Sequence, residues 1–171
     1  MPMADETSLF DVVLGVGNPL MGDDGLGIAV VAHVQSAWGD APELMIVDGG
    51  TWGMNLLPII EQARRVLIID AIDRGARPGT IVTLERDEIP RYFGRTLSPH
   101  QLDLREVLVL ADLRGTLPEE TVAVGIQPEQ IELSLELSPV VAAAVPALLD
   151  DIAARLAAWG YAVRPGELEH A

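Results

Sequence analysis

Short apolar runs alternate along this chain with longer amphipathic stretches, and the two kinds of segment differ in period. Phe10–Val16 is a β-branched, apolar run halted by Gly15-Val16-Gly17-Asn18-Pro19, which reads as a buried strand entering a tight loop. Leu26, Val30, Val34 and Ala37 then recur at helical spacing as far as Trp38. Asp23 and Asp24 stand where an N-cap and first-turn acids are favoured, and Asp23 is the expected cap. Residues 44–47 form a second apolar run, punctuated by Asp48-Gly49-Gly50-Thr51, and 54–63 predict a second helix with Pro58 near its first turn. The third run, 66–69, ends directly in Asp70. After a turn at 75–79, residues 80–84 alternate as a strand expected to pair beside the third. Residues 86–101 lose periodicity and hold Pro90, Tyr92-Phe93, Gly94 and Pro99, a long loop of the kind that often carries function. A helix over 102–113, a strand over 122–126 and a closing helix over 139–159 containing Pro146 complete the pattern.

That alternation predicts an α/β fold: one domain over residues 10–163, built as a twisted, mostly parallel sheet with helices on both faces. Segments 1–9 and 164–171 are expected to be flexible. In such sheets ligands bind at the carboxyl ends of the strands, where the strand order reverses. Asp24 follows the first strand and Asp70 closes the third, and these are neighbours if the sheet reverses between them. The long loop would deliver His100 to the same rim.

With 171 residues, 49% of them apolar, the chain can bury a sizeable core without staples. The absence of cysteine excludes disulfides, thiolate metal ligands and a cysteine nucleophile, and is compatible with the cytoplasm, the expected location. Residues 1–9 carry acids and no basic n-region, unlike a signal peptide. The longest weakly polar stretch, 139–149, ends at Asp150-Asp151 and falls short of the roughly 20 residues of a membrane span. A net charge of -15 with eleven basic residues argues against nucleic acid, whose phosphates need clustered Lys and Arg. Basic partners and metal cations remain.

Two carboxylates and an imidazole make an incomplete shell for a borderline metal such as nickel or zinc, with positions open for groups brought by a partner. Of the three histidines, His33 falls within the first helix and His170 is one residue from the end, which leaves His100. Its setting suits a cap for the helix beginning near Leu102 as well as a ligand. Asp70 closes Val66-Leu67-Ile68-Ile69, so it is either desolvated at cost or aimed at a cleft, and the cleft is favoured. Trp52 and Met54 fit core or groove. A dinucleotide reading of Gly15-Val16-Gly17 fails on spacing, because the third glycine would fall on Leu20. Asp23 and Asp24 would also repel a diphosphate, by about 4 kcal/mol per charge pair at contact in a partly buried site. The chain has no His-Glu-x-x-His helix, no Gly-x-Ser-x-Gly elbow and no phosphate loop.

The run Leu14-Gly15-Val16-Gly17-Asn18-Pro19-Leu20-Met21-Gly22-Asp23-Asp24-Gly25-Leu26-Gly27 is followed in order by Asp48-Gly49-Gly50-Thr51, Ile69-Asp70-Ala71, Pro78-Gly79-Thr80 and Ser98-Pro99-His100-Gln101. This ordered set resembles the nickel-iron hydrogenase maturation endopeptidases. The resemblance implies removal of a C-terminal extension from the large-subunit precursor of a nickel-iron hydrogenase after nickel insertion. It also implies metal binding by Asp24, Asp70 and His100, with Asp24 and Asp70 the catalytic candidates. Nickel would arrive with the substrate, zinc or cadmium being substitutes. Some members carry glutamate at the first position, and here it is Asp24, shorter by one methylene. The family is grouped with aspartic peptidases, yet the Asp-Thr-Gly pattern is missing, so carboxylate-activated water and metal-assisted attack both remain open. The implied partner is the precursor, without nucleic acid or membrane, and the default state is a monomer. The rival functions are a non-catalytic nickel-binding maturation factor and a nucleotide-binding α/β module.

Overall fold

The computed structural model describes residues 10–50, 52–89 and 99–162, with side chains omitted for 99–103. The expected end segments, Tyr92-Phe93 and the His100 side chain lie outside the described residues. Five strands form one sheet: β1 Phe10–Val16, β2 Leu44–Gly50, β3 Ala63–Ala71, β4 Ile81–Glu85 and β5 Thr121–Ile126. Their spatial order is β2-β1-β3-β5-β4. β1 pairs in parallel with β2 on one side and β3 on the other, β3 pairs in parallel with β5, and β4 runs antiparallel to β5 at the edge.

The helices are α1 Leu26–Trp38, α2 Leu57–Gln62, α3 Pro99–Leu113 and α4 Pro139–Ala158. Successive strand residues point to opposite faces, so β1 and β3 feed two cores. Val12, Leu14, Val66 and Ile68 pack with Ile60 of α2 and Leu104, Val107 and Leu108 of α3. Val13, Leu67 and Ile69 pack with Val30 and Val34 of α1 and Leu148 and Ile152 of α4. Both faces are covered, as the near-continuous apolar runs of a parallel sheet require.

Three expectations are corrected. β4 does not lie beside β3. That edge of β3 is taken by β5, all six of whose residues are buried, while β4 keeps the partly exposed pattern of an edge strand. The second helix starts at Leu57, after a 3-10 turn over Gly53–Leu56, and Ala63 already belongs to β3. The third helix begins at Pro99, where proline's fixed φ and missing N–H suit a first turn, so His100 sits in a helix and not in the preceding loop. α4 runs through Pro146.

At the amino ends of β1 and β3, Asp11 is fully buried. Arg64 grips its carboxylate through Nε at 3.1 Å and Nη2 at 2.8 Å, Arg65 through Nε at 2.9 Å and Nη2 at 2.6 Å, and the Tyr161 hydroxyl donates at 2.7 Å. Burial alone would raise the Asp11 pKa, but the bonds from Arg65, Arg64 and Tyr161 outweigh it and hold the carboxyl well below the usual range. The Tyr161 hydroxyl is pushed up to about 12 by burial and by the Asp11 charge.

A depressed folded-state pKa adds stability that is complete above the ordinary value of 3.8 and is lost as pH falls below it. Asp11→Asn should therefore lower unfolding free energy near neutrality by about 2–3 kcal/mol. In denaturant titrations the gap to the parent should narrow steadily as pH drops from about 4 towards 2. A second test concerns Gly27, where an added Cβ would collide with the backbone oxygens of Val16 and Ile69. Gly27→Ala should cost about 3 kcal/mol, read as a lowered melting temperature, because backbone must move to admit the methyl.

Candidate active site

β1 and β3 are adjacent and parallel, and the chain leaves them in opposite directions, to β2 at one edge and to β4 at the other. Their carboxyl ends therefore flank a topological switch point, the usual place for a ligand in such a sheet. Asp70 is the last residue but one of β3 and is fully buried. The amide of Ala71 donates to its Oδ1 at 2.8 Å. After β1 the chain turns at Gly17 and enters a 3-10 turn, Gly22–Gly25, which carries Asp23 and Asp24 and packs against β3. Asp24 is buried, and the amide of Asn18 donates to its Oδ2 at 3.3 Å.

Gly17 is what lets the two acids approach. Its φ is +134°, a region that side chains rarely adopt. A Cβ there would collide with the backbone oxygen of Asp24 and stand 3.8 Å from Asp70 Oδ1. The residue-24 turn thus lies directly on the end of β3, as expected from the sequence.

The backbone also brings His100 to this end. α3 leads through residues 114–120 into the start of β5, so it runs against the strands and its first turn lies at their carboxyl rim. Arg114, just beyond the helix, bonds Glu61 beside the start of β3, which marks that opposite end. Among the described residues no three His, Asp or Glu side chains form a group placed to hold a metal, and the third expected donor is the undescribed His100 imidazole. Two oxygen donors, Asp24 and Asp70, are thus present at this end of the sheet among the described side chains. Oxygen and imidazole donors suit a borderline divalent ion.

Asp23 departs from its expected role. α1 is preceded by Gly25 at its N-cap, with no side-chain cap bond. The fully buried Asp23 carboxylate turns to the segment after β5: Oδ2 accepts from Glu129 N at 2.9 Å, Gln130 N at 3.0 Å and the Ser138 hydroxyl at 2.9 Å, while Oδ1 accepts from Ser138 N at 2.7 Å. Burial pushes this carboxyl up, but the amides of Gln130, Ser138 and Glu129 and the Ser138 hydroxyl together bring it below the usual range. Consecutive acids thus divide: Asp23 ties the segment after β5, while Asp24 accepts from Asn18 N in the loop after β1.

A second polar clamp had no clear sequence signal. The Gln127 side chain, at the end of β5, accepts from Arg74 N at 2.8 Å and Ala76 N at 3.1 Å and donates to Asp73 Oδ1 at 2.9 Å. It holds the connection that leaves β3 just after Asp70. Trp52 and Met54, which fitted core or groove, are both about half exposed beyond β2 at the same end of the sheet.

Comparison with known proteins agrees with this architecture. A family described as "Hydrogenase maturation protease" matches residues 28–155. The Cupriavidus necator hydrogenase expression/formation protein HoxM is 39% identical over 151 residues, covering 87% of this chain and 75% of that protein. The hydrogenase 2 maturation protease of Escherichia coli is 35% identical over 160 residues, covering 93% of this chain and 98% of that one. Among solved structures, the E. coli hydrogenase maturating endopeptidase HybD superposes with a TM-score of 0.86 at 34% identity, over 92% of this chain and 98% of its own. With a family match running from the first helix into the last, and relatives this similar along nearly their whole length, the chain belongs to the hydrogenase maturation protease family.

Proposed function

We propose that this endopeptidase removes a C-terminal extension from the large-subunit precursor of a nickel-iron hydrogenase, and that it does so after reading the nickel already carried by that substrate. The observation that carries the reading is a pair of buried acids at the β1–β3 switch point: Asp70, whose Oδ1 lies near Gly17, and Asp24, whose backbone packs on Gly17 and whose Oδ2 accepts from Asn18 N. His100, whose backbone lies at the same rim, is the third donor in this reading. Two oxygens and one nitrogen leave a shell open, so nickel held by the precursor's own ligands can be engaged without being extracted.

The chain's residues then do three things. Asp24 and Asp70 accept the metal-bearing end of the substrate, and His100 completes the contact. Nickel, when present with its carrier, supplies positive charge beside the scissile region. A rim carboxylate would take a proton from an attacking water, and a cation beside it would lower that water's pKa. Recognition and hydrolysis share the same acids, so cleavage of a metal-free precursor would lack both anchor and charge. A carrier that merely bound nickel would leave the extension attached.

Purified protein incubated with precursor, with and without nickel, should release a C-terminal peptide from the loaded form only, as read by intact mass. Asp70→Ala and His100→Ala should abolish processing nearly completely while retaining a cooperative melt. Equal processing of metal-free precursor would remove the gating role. An unprocessed loaded precursor would remove the protease reading itself.

A further inference from the structure

After β5 the chain does not enter α4 at once. Residues 127–138 fold back over the segment that follows β1 and are fastened there at several points. Ser134 N donates to Leu20 O at 3.0 Å, Gly22 N to Ser134 O at 2.9 Å and Asp23 N to Gln130 O at 3.3 Å, with Met21 and Ser134 forming an isolated parallel bridge. The Asp23 carboxylate adds its four bonds to Glu129, Gln130 and Ser138. Gly22, at φ +59°, makes room for the approach, since a Cβ there would press on the backbone oxygens of Glu132 at 3.3 Å and Gln130 at 3.4 Å.

A loop held this firmly nonetheless presents its apolar side chains to solvent. Leu133 is 85% exposed and Leu135 80%, with Leu20 and Ile131 about half exposed beside them. Each large apolar side chain left in water forgoes the gain of burial. Four in one fastened region amount to a surface waiting for a partner, not scattered exposure. The acids Glu129, Glu132 and Glu136 are interleaved with them, and 127–138 contains no Lys or Arg. Local charge and the net -15 therefore disfavour nucleic acid and anionic membrane, and call for apolar side chains flanked by Lys or Arg.

We infer that Leu20, Ile131, Leu133 and Leu135, ringed by Glu129, Glu132 and Glu136, form a docking surface for the body of the protein substrate, engaging an apolar segment bordered by basic residues. The inference rests on the function proposed above, which makes that substrate the hydrogenase large-subunit precursor. Its location supports this occupant: residues 20–22, which seat the loop, continue directly into the turn bearing Asp24, so a chain reaching Asp24 and Asp70 passes along this surface. Preordered anchors reduce the entropy lost on association.

The test uses full-length protein, the double variants Leu133→Ser/Leu135→Ser and Glu132→Lys/Glu136→Lys, and full-length precursor. All four changed side chains are exposed, so melting temperatures should match the parent. With nickel-loaded precursor, KM should rise about tenfold or more while kcat stays within about twofold. With metal-free precursor, binding followed by fluorescence anisotropy should weaken about tenfold in both double variants, whereas Asp70→Ala should bind nearly as the parent does. Parent binding should weaken with salt, and the Lys variant should lose or invert that dependence. Unchanged KM and unchanged binding in both double variants would overturn the docking surface while leaving the protease reading standing. Failure of the parent to process the loaded precursor would instead strike the protease reading. If sedimentation shows a parent dimer that becomes monomeric in the Leu variant, the surface belongs to a second copy and the inference is overturned.

Discussion

Where α1 crosses the seam between β1 and β3, neither backbone has room for a side chain. A Cβ on Gly27 would strike the oxygens of Val16 and Ile69, and one on Gly15 would strike the oxygen of Gly27. This contact fixes the first helical turn against two strands at once, and the 3-10 turn before it is therefore fixed as well. Gly17 extends the same constraint to the end of β3, where Asp24 and Asp70 are brought together. Burial of Val30, Val34, Leu67 and Ile69 in one core supplies the pressure that holds the contact closed. Close backbone approach sets the position of the acids, and apolar packing supplies the energy.

The buried acids are stabilised by different means, and the differences track their roles. Asp11 is met by two guanidinium groups and a phenol, which stitch β1 to β3 and to the chain after α4. Asp23 is met by three backbone amides and one hydroxyl, with no cation among those four partners, so its charge is balanced by dipoles that also order residues 129–138. Both are held below the usual carboxylate range and stay ionised well into acid. Asp24 and Asp70 are approached by the amides of Asn18 and Ala71 at a switch point, the position where a ligand can add its own charge.

Much of this was legible in the chain because strand ends and glycine punctuation are local signals. The run 66–69 closing on Asp70, and Gly17 ahead of Asp24, sufficed to place two carboxylates on one rim once β1 and β3 were neighbours. The partner of β4 was not legible, since a five-residue alternating strand fits either neighbour and the choice is made by β5, thirty-five residues downstream. Asp23 was misassigned for a similar reason. Two consecutive acids before an apolar helical stretch satisfy cap statistics equally, while the actual partners of Asp23 lie 106 to 115 residues away. One trace was available: Ser138-Pro139 marks a helix start, yet the Ser138 side-chain oxygen accepts from no amide of its own helix and its hydroxyl donates to Asp23.

A protease that reads a metal on a folded substrate faces two separate demands, because an ion contact specifies chemistry while affinity needs area. An open shell of two carboxylates and an imidazole would discriminate nickel-loaded from empty precursor but would grip either weakly. Apolar area can supply the grip without regard to metal. Under the proposed function the two demands would fall on one short segment: residues 20–22 seat the exposed leucines, and Asp24 lies in the 3-10 turn that begins at Gly22. Asp23 stands between them, and its carboxylate fastens the loop that carries those leucines. Under the proposed function, the surface that would bind the substrate body and the turn that carries Asp24 therefore share one buried side chain, that of Asp23.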